Sequence, residues 1–229
     1  MAEWLNTTFA SFDYSIFEFF HTLAENAGAF LTPIAEFLAI IGDNGYLSFV
    51  IAGILICFKK TRKCGVCIVL AVGFGALFTN VAIKNLVARP RPFNEELHQF
   101  SAIIREWWTY VGAHPESINS FPSGHTTAAM ATMTALCLAI GKSRKWLIAP
   151  AALYALIMGV SRIYLVVHYP TDVIAGFVVG AVAATLAFLC ANAIWRSIEK
   201  KQSNRLCDFV LNFDIRSLFS KKSEKDKKC

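Results

Sequence analysis

WLIAPAALYALIMGVSRIYLVVHYPTDVIAGFVVGAVAATLAFLCANAIW, residues 146–195, is two apolar runs divided by a short polar break. Each run is long enough to cross a bilayer as a helix, which takes roughly 20 predominantly apolar residues. The break gathers Ser161, Arg162, His168 and Asp172, and Pro170 suits the first turn of the second helix. The pattern reads as a membrane hairpin, 146–167 and 170–195, with ionisable groups at its bend.

Outward from this hairpin the pattern repeats. Residues 27–41, 45–58, 64–83 and 124–141 are further apolar runs bounded by short polar bridges. The shorter ones can span through tilt, local thinning, or snorkelling by Lys59 and Trp146. Composition agrees: 55% of the 229 residues are hydrophobic and 17% charged, against roughly 25% charged in soluble domains. A soluble globule, a disordered chain, collagen and a coiled coil are excluded. The expected fold class is all-α, a six-transmembrane-helix bundle.

Charge orients the bundle. Of 22 Lys and Arg, four lie at 59–63, three at 142–145 and ten from Arg196 onward. Basic residues beside a span resist translocation, so these clusters mark cytoplasmic loops. The net charge of +6 is then a topology signal and an attraction to anionic membrane lipid rather than to nucleic acid. Loops 42–44 and 87–123 and the turn at His168 face outside, which puts both termini in the cytoplasm. Residues 1–26 lack Lys and Arg and so lack the basic start of a signal peptide. Their apolar stripe of Phe9, Phe12, Ile16, Phe20 and Leu23 fits an interfacial helix or packing against the bundle. The organisation expected is an interfacial N-terminal segment (1–26), a six-span core (27–200) and a basic cytoplasmic tail (201–229).

Ionisable groups at span ends are costly unless paired or solvated, so they mark a functional site by default. Lys84, Arg91 and Arg162 supply positive charge suited to a phosphate, which the two guanidiniums can hold bidentately. Ser123 and Gly124 would open a helix, whose free backbone N–H groups also favour an anion. Asp172, four residues after His168, can orient that imidazole and make its other nitrogen a better nucleophile. His125 has no carboxylate nearby in sequence and fits a general acid. These groups share one face of the membrane, the outer one.

Three motifs carry a resemblance to the type 2 phosphatidic acid phosphatase superfamily, whose active site is shared with vanadium haloperoxidases. They are Lys84 with six residues before Arg91 and Pro92; Pro122, Ser123, Gly124 and His125; and Ser161, Arg162, five residues, His168, three residues, Asp172. The resemblance implies a metal-independent lipid phosphatase without cofactor. His168 would form a phosphohistidine, Asp172 orient it, and His125 protonate the leaving oxygen. Lys84, Arg91, Ser123, Gly124 and Arg162 would hold the phosphoryl oxygens. Undecaprenyl diphosphate is the favoured substrate, with phosphatidylglycerol phosphate and phosphatidic acid as alternatives, at the outer face of a cytoplasmic membrane. A haloperoxidase would hold vanadate in the same pocket, but that resemblance is to soluble proteins. A lipid carrier would explain the spans but not the paired histidines.

Other residues read more plainly. Cys64 and Cys67 form a lone CxxC without the further ligands of a zinc site, and Gly176 and Gly180 form a small-xxx-small packing pair. Arg89 reads as a membrane anchor or as lining the groove, since the motif spacing selects Arg91. His98, His114, Glu95, Glu96, Glu106 and Glu116 read as solvated groups of the outer loop. Trp107, Trp108 and Tyr110 suit the headgroup level and would sink that loop into the outer leaflet.

Overall fold

The computed structural model describes residues 1–94, 99–140 and 142–217, so His98, Glu95 and Glu96 lie outside the described residues, as does the charged run from residue 218 onward. The described chain is helical: α1 (Ala2–Thr8), α2 (Ala10–Gly42), α3 (Tyr46–Cys57), α4 (Arg62–Ala76), α5 (Lys84–Val87), α6 (Ser101–Val111), α7 (Gly124–Ala139), α8 (Ile148–Tyr164), α9 (Pro170–Lys200) and α10 (Arg205–Asn212). A π-helical stretch, Leu77–Ile83, joins α4 to α5 without a break. By length and composition Ala10–Cys57, Arg62–Val87, Arg144–Tyr164 and Pro170–Lys200 can each cross a membrane.

Small side chains set the centre of the bundle. Ala131 and Ala135 of α7, Ala184 and Ala187 of α9 and Ala71 of α4 are fully buried in one cluster, so three backbones approach closely. The pair Gly176 and Gly180 sits in this seam. A Cβ on Gly180 would lie 2.5 Å from the Thr127 carbonyl oxygen, and one on Gly176 2.9 Å from that of Ser123. Cys64 and Cys67 are buried in the same cluster, as small apolar groups of α4.

The sequence places a first span at 27–41, after a separate interfacial segment. Instead one uninterrupted 33-residue helix, α2, runs through both. At about 1.5 Å per residue it is about 50 Å long, well beyond the thickness of a bilayer core. Near its start, Asp13 accepts hydrogen bonds from the backbone N–H and hydroxyl of Thr171, at the head of α9. Near its end, the carbonyl of Ala39 meets His125, and Gly42 packs on Met158. Both ends of α2 therefore lie at the same end of the bundle, and the helix slants across that rim. Its inward face is Phe17 and Ala24, buried in a second cluster with α6 and residues 163–173, one register from the stripe read in the sequence.

Among the described residues, the N-terminal helix and residues 205–217 consequently sit at opposite ends of the bundle. Asn6 reaches Arg89 at the rim, whereas the tail folds onto the α3–α4 turn, where Arg62 donates to the carbonyls of Val210 and Phe213 and Lys59 to Asn212. With no basic residue before residue 59, charge gave no signal at the N-terminus; the pairing with Arg89 and Thr171 decides its place. Trp107 and Trp108 also depart from expectation. Trp107 is buried, stacked on His21 at 4.9 Å and on Tyr14 at 5.4 Å, and Trp108 stacks on Phe93 at 4.5 Å. They bind α6 to the rim instead of dipping into lipid, while Tyr110 stays exposed.

Candidate active site

Three chain segments end at the rim and bring the motif residues together. The π-helical turn widens the helix below α5, and Thr79, Asn80 and Lys84 line one cavity of about 980 Å³ with Arg91, Gly124, His125 and His168. Stretches of π-helix commonly mark functional sites. Ala88 at φ 49° turns the chain out of α5 toward Arg89 and Arg91. Val166 at φ 55° reverses it between Arg162 and His168, a left-handed conformation that a β-branched residue rarely adopts.

His168 is buried with both ring nitrogens in defined surroundings. Nη1 of Arg91 lies 2.9 Å from Nε2. A guanidinium can only donate, so Nε2 carries the lone pair and the proton of the neutral ring sits on Nδ1. Burial, with the Arg91 charge next, holds this imidazole well below the usual histidine range, so the neutral ring prevails at neutral pH. Nδ1 faces Oδ2 of Asp172 at 3.5 Å, without a completed hydrogen bond. Oδ2 instead accepts from the backbone N–H of Tyr169 at 3.0 Å.

Arg89 is central here, not a surface anchor. Its buried guanidinium donates to Asp172 at 2.7 Å, Asp13 at 2.9 Å, Asn6 at 2.6 Å and Thr171 at 2.7 Å, over the face of Tyr169. One buried cation thus sits between two buried carboxylates, and both need its charge and hydrogen bonds to be tolerated there. The signal available in the sequence was Asp13, an acidic residue inside the apolar run FASFDYSIFEFF.

The other motif residues are arranged around Nε2. Lys84 and Arg91 line the cavity, and among the described residues no carboxylate pairs with the Lys84 ammonium. Gly124 opens α7 on the cavity wall. Ser123 lies behind it, fully buried, its hydroxyl capping α7 by accepting from the N–H of Thr126. The Nε2–H of His125 points to the Ala39 carbonyl at 3.2 Å. Arg162, also fully buried, donates to the Ala35 carbonyl at 3.2 Å and reaches the site through Glu116.

Glu116 corrects the reading of a solvated loop. Its Oε2 lies 2.9 Å from Nη1 of Arg91 and its Oε1 3.4 Å from Nη1 of Arg162, with Nε2 of His168 3.9 Å away. Burial pushes its carboxyl up, yet the charges around it, those of Arg91 and Arg162 among them, hold it down at about 2. No spacing rule marked this residue, because the loop holding it has no regular period.

Known proteins resemble this chain over most of its length. The profile of the PAP2 superfamily matches residues 64–196. Undecaprenyl-diphosphatase of Sulfolobus acidocaldarius is 30% identical over 164 residues, covering 72% of this chain and 72% of that protein. Undecaprenyl-diphosphatase BcrC of Bacillus subtilis is 30% identical over 179 residues, covering 77% and 82%. Among solved structures, Aquifex aeolicus LpxE matches with a TM-score of 0.57 at 25% identity, over 74% of this chain and 92% of that one. The chain belongs to the PAP2 superfamily. It is a multi-pass membrane hydrolase of a lipid phosphate or diphosphate.

Proposed function

We propose that the chain hydrolyses the terminal phosphate of a polyprenyl diphosphate, undecaprenyl diphosphate before other lipid phosphates, through a phosphohistidine on His168. The observation that carries this reading is the neutral His168, its Nε2 lone pair held by Arg91 at the wall of a cavity that Lys84, Gly124 and His125 also line. Nε2 attacks phosphorus as the ester or anhydride oxygen leaves, and His125 gives that oxygen its proton. The Nδ1 proton faces Asp172, whose charge offsets the imidazolium character that develops on attack. Lys84, Arg91, Arg162 and the head of α7 at Ser123 and Gly124 take up the charge on the phosphoryl oxygens. Water then attacks the phosphorus and passes a proton to His125, the N–P bond breaks, phosphate leaves, and both imidazoles return to their starting forms. None of these steps calls on a metal ion.

The preference for a polyprenyl diphosphate is supported by the two undecaprenyl-diphosphatases among the relatives. The site is taken to face outside, because Lys59, Arg62, Lys63 and the tail lie at the opposite end of the bundle. The test is phosphate release by the detergent-solubilised protein from undecaprenyl diphosphate, phosphatidylglycerol phosphate and phosphatidic acid. The first should be turned over fastest, chelator should not reduce the rate, and His168→Ala should lower kcat by at least about 1,000-fold, the scale seen when a nucleophile is removed. Equal rates on the three lipids would refute the polyprenyl preference; retained turnover in His168→Ala would refute the mechanism.

A further inference from the structure

Glu116 stands where a substrate would have to bind. Its two carboxylate oxygens engage one guanidinium each, Arg91 at 2.9 Å and Arg162 at 3.4 Å, and Oε2 lies 3.9 Å from Nε2 of His168. A carboxylate and a phosphoryl group present the same pair of anionic oxygens to an arginine fork. The cations behind it are almost wholly buried, at 1% and 0% exposure, while the Glu116 side chain is 25% exposed on the cavity side. The neighbouring Ser117 is held by other atoms of the same guanidinium, its carbonyl accepting from Nε of Arg91 at 2.8 Å and its hydroxyl from Nη2 at 3.2 Å. The loop is therefore anchored at Ser117, and the Glu116 side chain can rotate toward the open cavity without moving it.

We propose that Glu116 is a built-in competitor for the phosphoryl seat, an internal anion that the substrate displaces on binding and that reoccupies the two arginines as phosphate leaves. The proposal rests on the phosphatase reading above and adds a selection to it. A free phosphate ion must exchange with a tethered carboxylate and has only its own charge with which to do so. A lipid phosphate brings its tail as well, and apolar contacts along Ala39, Val72, Ala76 and Ala128 in the same cavity favour the exchange. Product phosphate, once freed of its lipid, loses that help and is expelled.

If Glu116 merely held Arg91 and Arg162 in place, its removal would weaken phosphate binding; if it competes, removal strengthens it. Full-length protein in detergent is titrated with inorganic phosphate, followed by phosphate-dependent thermal stabilisation and by inhibition of lipid phosphate hydrolysis. Glu116→Gln keeps the shape and removes the charge, and should bind inorganic phosphate at least about tenfold more tightly than the unsubstituted protein. Equal or weaker binding overturns the proposal. Should Glu116→Gln fail to fold, Glu116→Asp, one methylene too short to reach both arginines, decides it by the same criterion. A chain that binds phosphate but hydrolyses none of the lipids refutes the phosphatase reading, which the binding titration separates from this one.

Discussion

Protonating His168 would place a second cation 2.9 Å from the Arg91 guanidinium inside a buried site. Burial and that charge together hold the ring neutral well below the usual 6.5. An unfolded chain takes up the proton near 6.5 and the folded one only further down, so the unfolded state binds more protons between those values. Folding therefore loses stability as pH falls through that window, while the folded protein keeps its lone pair. The acid limb of kcat/KM should accordingly lie below 6.5, and a limb at or above 6.5 in a pH–rate profile would contradict the buried neutral ring. Lys84, Arg91, Ser123, His125, Arg162, His168 and Asp172 were legible because their spacing and their place at span ends coincide. Arg89 and Glu116 were not, because their roles depend on partners 83 and 46 positions away, Asn6 and Arg162.

Among the elements, α2 and α6 depart most from a reading by apolar runs. Hydropathy registers an apolar segment but not its direction, and the segment Ala10–Cys57 that is apolar enough to cross a membrane includes α2, which slants across the rim. The aromatics of α6 carry the same ambiguity, since Trp suits both a headgroup layer and a protein core. Trp107 is 5% exposed and stacked on α2. Replacing it with Ala should cost about 3–5 kcal/mol of stability, read as a fall in thermal midpoint in detergent. Its effect on hydrolysis of a long-chain lipid and of a short soluble phosphate should be equal. A selective loss on the long chain would instead place the ring in the leaflet.

At the scale of the molecule, the chain has a charged end and, opposite it, a rim that carries the candidate site. The turn after α3 and the tail gather the basic residues at one, and α2, α6 and the turn before α9 build the other. Helices α1 and α2 belong to that rim through Asn6 and Asp13. A membrane-impermeant thiol reagent applied to intact cells should label a cysteine introduced by Ala2→Cys and should reach Cys207 of the tail only after permeabilisation. Labelling of both from the same side would contradict this arrangement.

By itself the sequence determined the helical membrane class, the three motifs and the chemistry they imply, because apolar run length, charge clusters and fixed spacings are properties of the chain read in order. Only the tertiary structure decided that α2 lies across the rim, that Arg89 links Asp13 to Asp172, and that Glu116 sits on the arginines. Each of these follows from neutralising buried charge with a partner remote in sequence. Such pairings take their energy from distance and burial in three dimensions, on which linear order is silent.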